Sequence, residues 1–279
     1  MQNPETTTTQ SGETYRFAQV GVDAVETHCA LRLGDNLAHL LLLRKLAQAN
    51  PQILFRHAAF SQYLPQLVEV VCDLPNVVLS DIQHHTGYSN NAWKNSGGFW
   101  ESHALKNQYV PFMLEWYALL CSRIGLPCPI KSADDFAFEY PLLKSPEAAT
   151  RFDVLVVNSA PLSGQWRGFD PADFRKLVRL LLDSGRDVWT TAPTGIAGAP
   201  CTAEHGFSVT AIGRLSQHCN HIVAVSTGPS WPTFNVWNQA IPRVLFIDHE
   251  RLTGLVQNIT HHAKIDDARE TLRSLGMLP

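Results

Sequence analysis

The feature that most constrains this chain is a strand, loop and helix in its second half. Phe152 to Val157 reads Phe-Asp-Val-Leu-Val-Val, an apolar run of the kind buried on both faces of a parallel sheet. An irregular loop, Asn158 to Phe169, follows it. Asp170-Pro171 then supplies an N-cap and a first-turn proline, and Phe174, Leu177, Val178, Leu181 and Leu182 recur at helical spacing before Gly185 closes the helix. The same alternation continues. Asp187 to Thr191 and His221 to Ser226 read as strands, with a short helix from Thr210 to His218 between them. Trp231-Pro232 opens a helix through Asn238, Arg243 to Ile247 is a strand, and Asp266 to Leu275 is helical. Strands alternating with helices specify an α/β parallel sheet.

The first half repeats the theme. His28 to Leu33 is an apolar stretch that stops at Gly34-Asp35. Leu37, Leu40, Leu41, Leu46 and Ala47 then recur at helical spacing until Asn50-Pro51. Gln52 to His57 and Val77 to Leu79 read as strands around a helix that begins at Ser61 and runs from Gln62 to Val71, and Val110 to Ile124 as a further helix. Between them, His84 to Gly98 is a long Gly-, Asn- and Ser-rich loop with embedded aromatic residues, of a kind that is usually functional. The stretch Leu126 to Ser145 breaks the periodicity. It places a polar tail at 1–15, one α/β domain at 16–145 and a second at 146–279.

Composition excludes several functions. Among 279 residues, 22 Lys and Arg face 25 Asp and Glu, a net charge of -3, so the chain has no general electrostatic footprint for nucleic acid. The longest apolar runs, such as Leu40 to Leu43, are far short of the roughly 18 residues of a membrane span. The first residues lack the basic start and apolar run of a secretory signal, and the six cysteines show no paired spacing. These features predict a cytoplasmic protein with free thiols and at most peripheral membrane contact. There is no G-x-G-x-x-G after a strand, no G-x-x-x-x-G-K-[ST] and no G-x-S-x-G. His218, Cys219 and His221 lack a second ligand pair, and His84-His85 and His261-His262 read as loop residues, so no metal site and no cofactor is expected.

In open α/β sheets ligands bind beyond the carboxyl ends of the strands. Three turns therefore matter: Gly34-Asp35, Asn158 to Phe169, and Ser226 to Ser230. The last two enter helix N-termini, whose amides and dipole suit phosphate. Arg167 can neutralise a diphosphate there, and Ser163, Ser226, Thr227 and Ser230 add hydroxyls. The alternative is a solvated Arg167 and an ordinary turn at Thr227-Gly228-Pro229. Asp35 is either the N-cap of its helix, a general base held on a rigid turn, or both.

Taken in order, these segments resemble the ADP-heptose:lipopolysaccharide heptosyltransferases, glycosyltransferase family 9. Leu31 to Pro51 is similar to the family's strand, Gly-Asp turn and helix. The stretch from Asn158 through Gly164 to Gly185 resembles its loop and helix after the first strand of the second domain, and Leu215 to Trp237 its D-T-G-P loop. The resemblance implies a GT-B architecture of two Rossmann-like parallel-sheet domains facing an interdomain cleft. It also implies a metal-independent, inverting transfer of a sugar from a nucleoside-diphosphate sugar to a glycan or glycolipid hydroxyl. Asp35 takes the place of the general base. Arg167 takes that of a phosphate-contacting basic residue, with Asn158, Ser163, Ser226, Thr227, Gly228, Pro229 and Ser230 at the nucleotide-sugar. Ser226 stands where the family has the aspartate that contacts the donor sugar, which implies a sugar other than heptose. Tyr88, Trp93, Lys94 and Trp100 are candidates for stacking on the acceptor, with ordinary packing as the alternative. Two rival readings share the architecture: a nucleotide-sugar-binding protein without transfer, and a sugar-nucleotide epimerase.

Overall fold

The computed structural model describes residues 7–8, 14–15, 24–84, 88–89, 109–146, 150–162, 166–247 and 258–279. The chain divides into two compact units, Met1–Phe136 and Ala137–Pro279. Near the N-terminus, where a polar tail is expected, β1 (Thr7–Thr8) pairs antiparallel with β2 (Thr14–Tyr15).

The first unit runs through β3 (Ala24–His28), α1 (Leu33–Ala49), β4 (Leu54–Ala59), α2 (Leu64–Val71), β5 (Val77–Asp81), β6 (Tyr88–Ser89) and α3 (Tyr109–Ile124). Its sheet is wholly parallel, in the order β5-β4-β3-β6. Helix α1 is buried nearly all round, from Asn36 to Leu43, as an apolar central helix must be. Two expectations are corrected here. The first strand is Ala24–His28 rather than His28 to Leu33, because Val25 and Thr27 supply a period-2 inward face that carries one polar residue. Asp35 is not the N-cap. The cap position is Arg32, so Gly34 and Asp35 lie inside the first helical turn. There the carboxylate faces the positive end of the helix dipole.

The second unit runs through β7 (Phe152–Val157), α4 (Pro171–Asp183), β8 (Val188–Thr190), α5 (Val209–Leu215), β9 (Cys219–Val225), β10 (Arg243–Phe246), β11 (Ile259–His262) and α6 (Arg269–Ser274). All its strands are parallel, in the order β11-β10-β9-β7-β8. Asp170 caps α4, its carboxylate accepting from Ala172 N, and Phe174, Leu177, Val178 and Leu181 are buried as the sequence spacing requires. They pack on Val154, Val156, Val223, Val225, Val244 and Phe246 of the strands. Gly185 follows at φ +75°, a left-handed conformation that suits glycine at a helix end.

Residues 137–145, placed with the first domain from the sequence, pack within the second unit. Phe138 N donates to Phe234 O at 2.8 Å, and the hydroxyls of Tyr140 and Thr210 are 2.9 Å apart. Two further corrections concern the C-terminal third. Trp231-Pro232 does not open a helix; a 3-10 turn spans Gly228–Thr233 and begins at Thr227. His261 and His262 are strand residues at the edge of the sheet, where a polar strand is tolerated. All six cysteines are free thiols, and among the described residues no helix is long and apolar enough to cross a membrane.

Candidate functional site

Strand order locates the places where each sheet can receive a ligand. In the second unit β8 is laid down on one side of β7 and β9 on the other. The winding therefore reverses between β7 and β9, and it is beyond the carboxyl ends of strands at such a reversal that open α/β sheets receive ligands. The loops there are Asn158 to Phe169 and Ser226 to Thr233. In the first unit the reversal falls between β3 and β6, so the segment from Cys29 into α1, with Asp35, has the corresponding place.

The loop after β7 is built on two anchors. Asn158 Oδ1 accepts from Thr191 N at 3.0 Å and Ala192 N at 2.8 Å, while its Nδ2 donates to Ala192 O at 3.1 Å. This carboxamide, expected at the nucleotide-sugar, is spent on joining the ends of β7 and β8. Trp166 is the second anchor, and the sequence reading missed it. Its ring stacks on Phe246 at 5.2 Å and meets Phe174 edge-on at 5.9 Å, and Nε1 donates to Ala263 O at 2.7 Å. A Cβ on Gly168 would lie 3.1 Å from Trp166 Nε1, so the chain turns tightly around the indole. Arg167, between them, is exposed. A tryptophan inside a polar Gly-containing loop was the available signal. Ser163 lies outside the described residues.

The loop after β9 is held from within. Ser226 N donates to Phe246 O at 3.3 Å. Thr227 N donates to Ser230 Oγ at 3.1 Å, Ser230 Oγ donates to Thr227 O at 2.7 Å, and Ser230 N donates to the same carbonyl at 3.1 Å. Proline has no N–H, so Pro229 offers none. The expectation of a row of amides for a diphosphate is corrected accordingly: the Thr227 and Ser230 amides are bonded inside the loop. Thr227 Oγ1 is buried and sits over the Ser230 amide in the capping box of the turn, with no acceptor for its own hydrogen among the described residues.

A polar network fixes the segment beyond this loop. Thr233 Oγ1 donates to Ser230 O at 2.6 Å, Asn238 Nδ2 to Thr233 O at 2.8 Å, and Asn235 Nδ2 to Pro232 O at 2.9 Å. Arg243 Nη2 donates to Asn238 Oδ1 at 2.8 Å, and its guanidinium lies 5.1 Å from the centre of the Phe234 ring. Burial pushes this guanidinium down to about 10, so it remains a cation at neutral pH.

In the first unit Asp35 is half-buried. Burial, and then the negative charge of Asp35, push the nearby Cys29 thiol up to about 12. That thiol is therefore no nucleophile at neutral pH. Tyr88 is placed in β6 by its backbone. Trp93, Lys94 and Trp100 lie outside the described residues. Among those described, no group of three or more His, Cys, Asp and Glu side chains is arranged to hold a metal ion.

No protein-family model matches the sequence, and no curated protein sequence matches it. Solved structures do. E. coli heptosyltransferase WaaC with ADP aligns over 90% of this chain and 99% of that chain at 15% identity, with a TM-score of 0.55. A glycosyl transferase family 9 protein from Veillonella parvula aligns over 94% and 92% at 11% identity, with a TM-score of 0.52. The chain has the heptosyltransferase fold. A third heptosyltransferase-fold structure, E. coli ADP-heptose lps heptosyltransferase II, aligns over 86% and 90% at 15% identity with a TM-score of 0.50.

Proposed function

We propose that the chain is an inverting glycosyltransferase that moves a sugar from a nucleoside-diphosphate sugar to a hydroxyl of a glycan or glycolipid. The observation that carries this reading is the placement of the Arg167 turn and the Thr227 loop at the winding reversal of a heptosyltransferase fold. The likeness covers nearly the whole chain. In this reading the second unit takes the donor. Arg167 offsets the charge of the diphosphate without a metal ion, and Thr227 Oγ1 and the Gly228 amide donate to it. Ser226, a neutral residue where family 9 has an aspartate, suits a sugar other than heptose. The first unit supplies Asp35. Its carboxylate takes the proton of the acceptor hydroxyl as that oxygen attacks the anomeric carbon and the nucleoside diphosphate departs.

One feature favours a rival, a nucleotide-sugar binder without transfer: Ser226 stands where family 9 has the acidic residue that contacts the donor sugar. Thermal shift across ADP, GDP, UDP, CMP and their sugar conjugates tests the nucleotide binding that the two share. A ligand at 100 times its Kd raises stability by about 2.7 kcal/mol. One selective shift, lost in Arg167→Ala, is the expected result, and no shift with any nucleotide would defeat both readings. Asp35→Asn is then expected to keep the donor shift and lose transfer. Transfer at the wild-type rate in that variant would remove Asp35 as the base. An acceptor-independent change in the sugar of the donor would instead identify an epimerase.

A further inference from the structure

Beneath the first turn of α1 lies a buried polar chain that the transfer reaction does not use. It consists of Thr27 on β3, His57 on β4, and Asn36 on α1, the first 5% exposed and the others 0%. Asn36 Nδ2 donates to Arg32 O at 3.0 Å and to Leu31 O at 3.4 Å, the two carbonyls that precede the helix. Its Oδ1 is then left to accept, and it lies 3.1 Å from His57 Nε2. A carboxamide oxygen cannot donate, so His57 Nε2 carries the proton. On the other side of the ring, Nδ1 is 2.9 Å from Thr27 Oγ1, which donates into it in the neutral imidazole and also lies 3.3 Å from Arg56 O.

His39 faces the ring 6.5 Å away between ring centres, and burial above all drives it towards its neutral form. A leucine at position 57 would fill the core without desolvating an imidazole, so the polar ring has a purpose other than packing. Its hydrogen bond ends on Asn36, and Asn36 grips the backbone on the other side of Asp35.

We propose that His57 is the positioning residue for Asp35: through Nε2–H it orients Asn36, and Asn36 holds the Leu31–Asn36 turn that presents the Asp35 carboxylate. The proposal deepens the reading of Asp35 as general base and rests on it.

The test uses the full chain. Ring-nitrogen NMR of ¹⁵N-histidine-labelled wild type is expected to find His57 neutral with the proton on Nε2. A proton on Nδ1, or an imidazolium at neutral pH, would overturn the proposal without any variant having to fold. Two substitutions extend it. In His57→Gln the side chain retains an N–H donor towards Asn36, and in His57→Leu it does not. The Asp35 carboxyl, followed by ¹³C NMR, is expected to titrate as in wild type in His57→Gln. Its midpoint is expected to move by about half a pH unit or more in His57→Leu. Amides of the first turn of α1 are expected to exchange on the order of tenfold faster in His57→Leu alone. A His57→Leu protein with unaltered Asp35 titration and exchange refutes the positioning role. The two readings fail separately. Sugar transfer by Asp35→Asn, assayed as nucleoside-diphosphate release from ADP-, UDP- and GDP-sugars, would remove the base and leave the network in place. An inactive Asp35→Asn beside an unaltered His57→Leu would remove the network's role and leave the base.

Discussion

Gly213 offers a test in which two physical arguments give opposite signs. It lies in α5, and on helix propensity alone Gly213→Ala should stabilise by about 1 kcal/mol. The structure argues otherwise. A Cβ there would stand 2.5 Å from Leu143 Cδ1, 2.8 Å from Pro232 Cβ and 2.8 Å from Pro232 O. The leucine tip can swing away, but the proline ring and its carbonyl cannot, because Asn235 Nδ2 bonds that carbonyl at 2.9 Å. With three contacts below 3.0 Å the overpacking cost falls in the upper part of its usual range, about 2–3 kcal/mol, so the net effect is destabilisation by about 1–2 kcal/mol after the helix gain is subtracted. At about 3 °C per kcal/mol for a chain of this size, Tm should fall by roughly 3–6 °C. Circular dichroism melts and urea titrations of the two proteins measure it. Because the strained neighbour is Pro232, the Thr227 loop should shift with it, and any nucleotide-induced stabilisation should shrink in the variant. A Gly213→Ala protein that melts about 3 °C above wild type would refute the close approach of α5 to the Gly228–Thr233 turn.

Two further outcomes follow from the packing. Arg44 is buried in α1 and grips Asp73 with two bonds, at 2.6 and 3.0 Å. Burial opposes the Asp73 carboxylate, but the hydrogen bonds and charge of Arg44 outweigh it and hold the carboxyl below its ordinary value. A depressed carboxyl stabilises fully above the unfolded value of about 4 and loses that contribution as pH falls through the folded one. Asp73→Asn should therefore destabilise by about 1–3 kcal/mol at pH 7, less than a fully buried pair because Asp73 is partly exposed. The urea midpoints of wild type and variant should draw together as pH falls below about 4 and through the depressed Asp73 value. Trp166→Phe keeps the stacking on Phe246 but strands Ala263 O, a loss of about 1–3 kcal/mol by denaturant titration. It should also weaken the nucleotide-induced shift by loosening the Arg167 turn, and an unchanged shift would show that the indole N–H does not steady that turn.

The second unit was the more legible half of the sequence, because its signals are redundant. An apolar strand, a capped proline-led helix and a closing glycine all specify one β7-α4 unit, and each has its expected place. The errors arose where a polar residue performs an internal task. Thr27 points into the first unit, so the strand Ala24–His28 lacks the apolar run that marks a buried strand, whereas His28–Leu33 has one. Gly34-Asp35 reads as a turn, yet Asn36 reaches back to the carbonyls of Leu31 and Arg32 and starts the helix before it. In the loop after β9, Ser230 Oγ accepts from the Thr227 amide, and the Ser230 amide itself bonds the Thr227 carbonyl. No spacing rule could reveal this, since serine hydroxyls bond outward as readily as inward.

The strand order of the second unit also governs how it can form as the chain emerges from synthesis. Strand β7 lies inside the sheet between β8 and β9, and its partner on one side, the edge strand β8, follows closely enough for Val154 to pair with Val188. Its other partner is far off, with Phe152 opposite Cys219. The β7-α4-β8 portion can therefore close early, while the other edge of β7, the apolar run Phe-Asp-Val-Leu-Val-Val, stays unpaired until β9 is made. An open apolar strand edge is a template for pairing with another chain. The interval between synthesis of β8 and β9 is thus the period in which this protein is most exposed to self-association, and the window in which a chaperone would have most to protect.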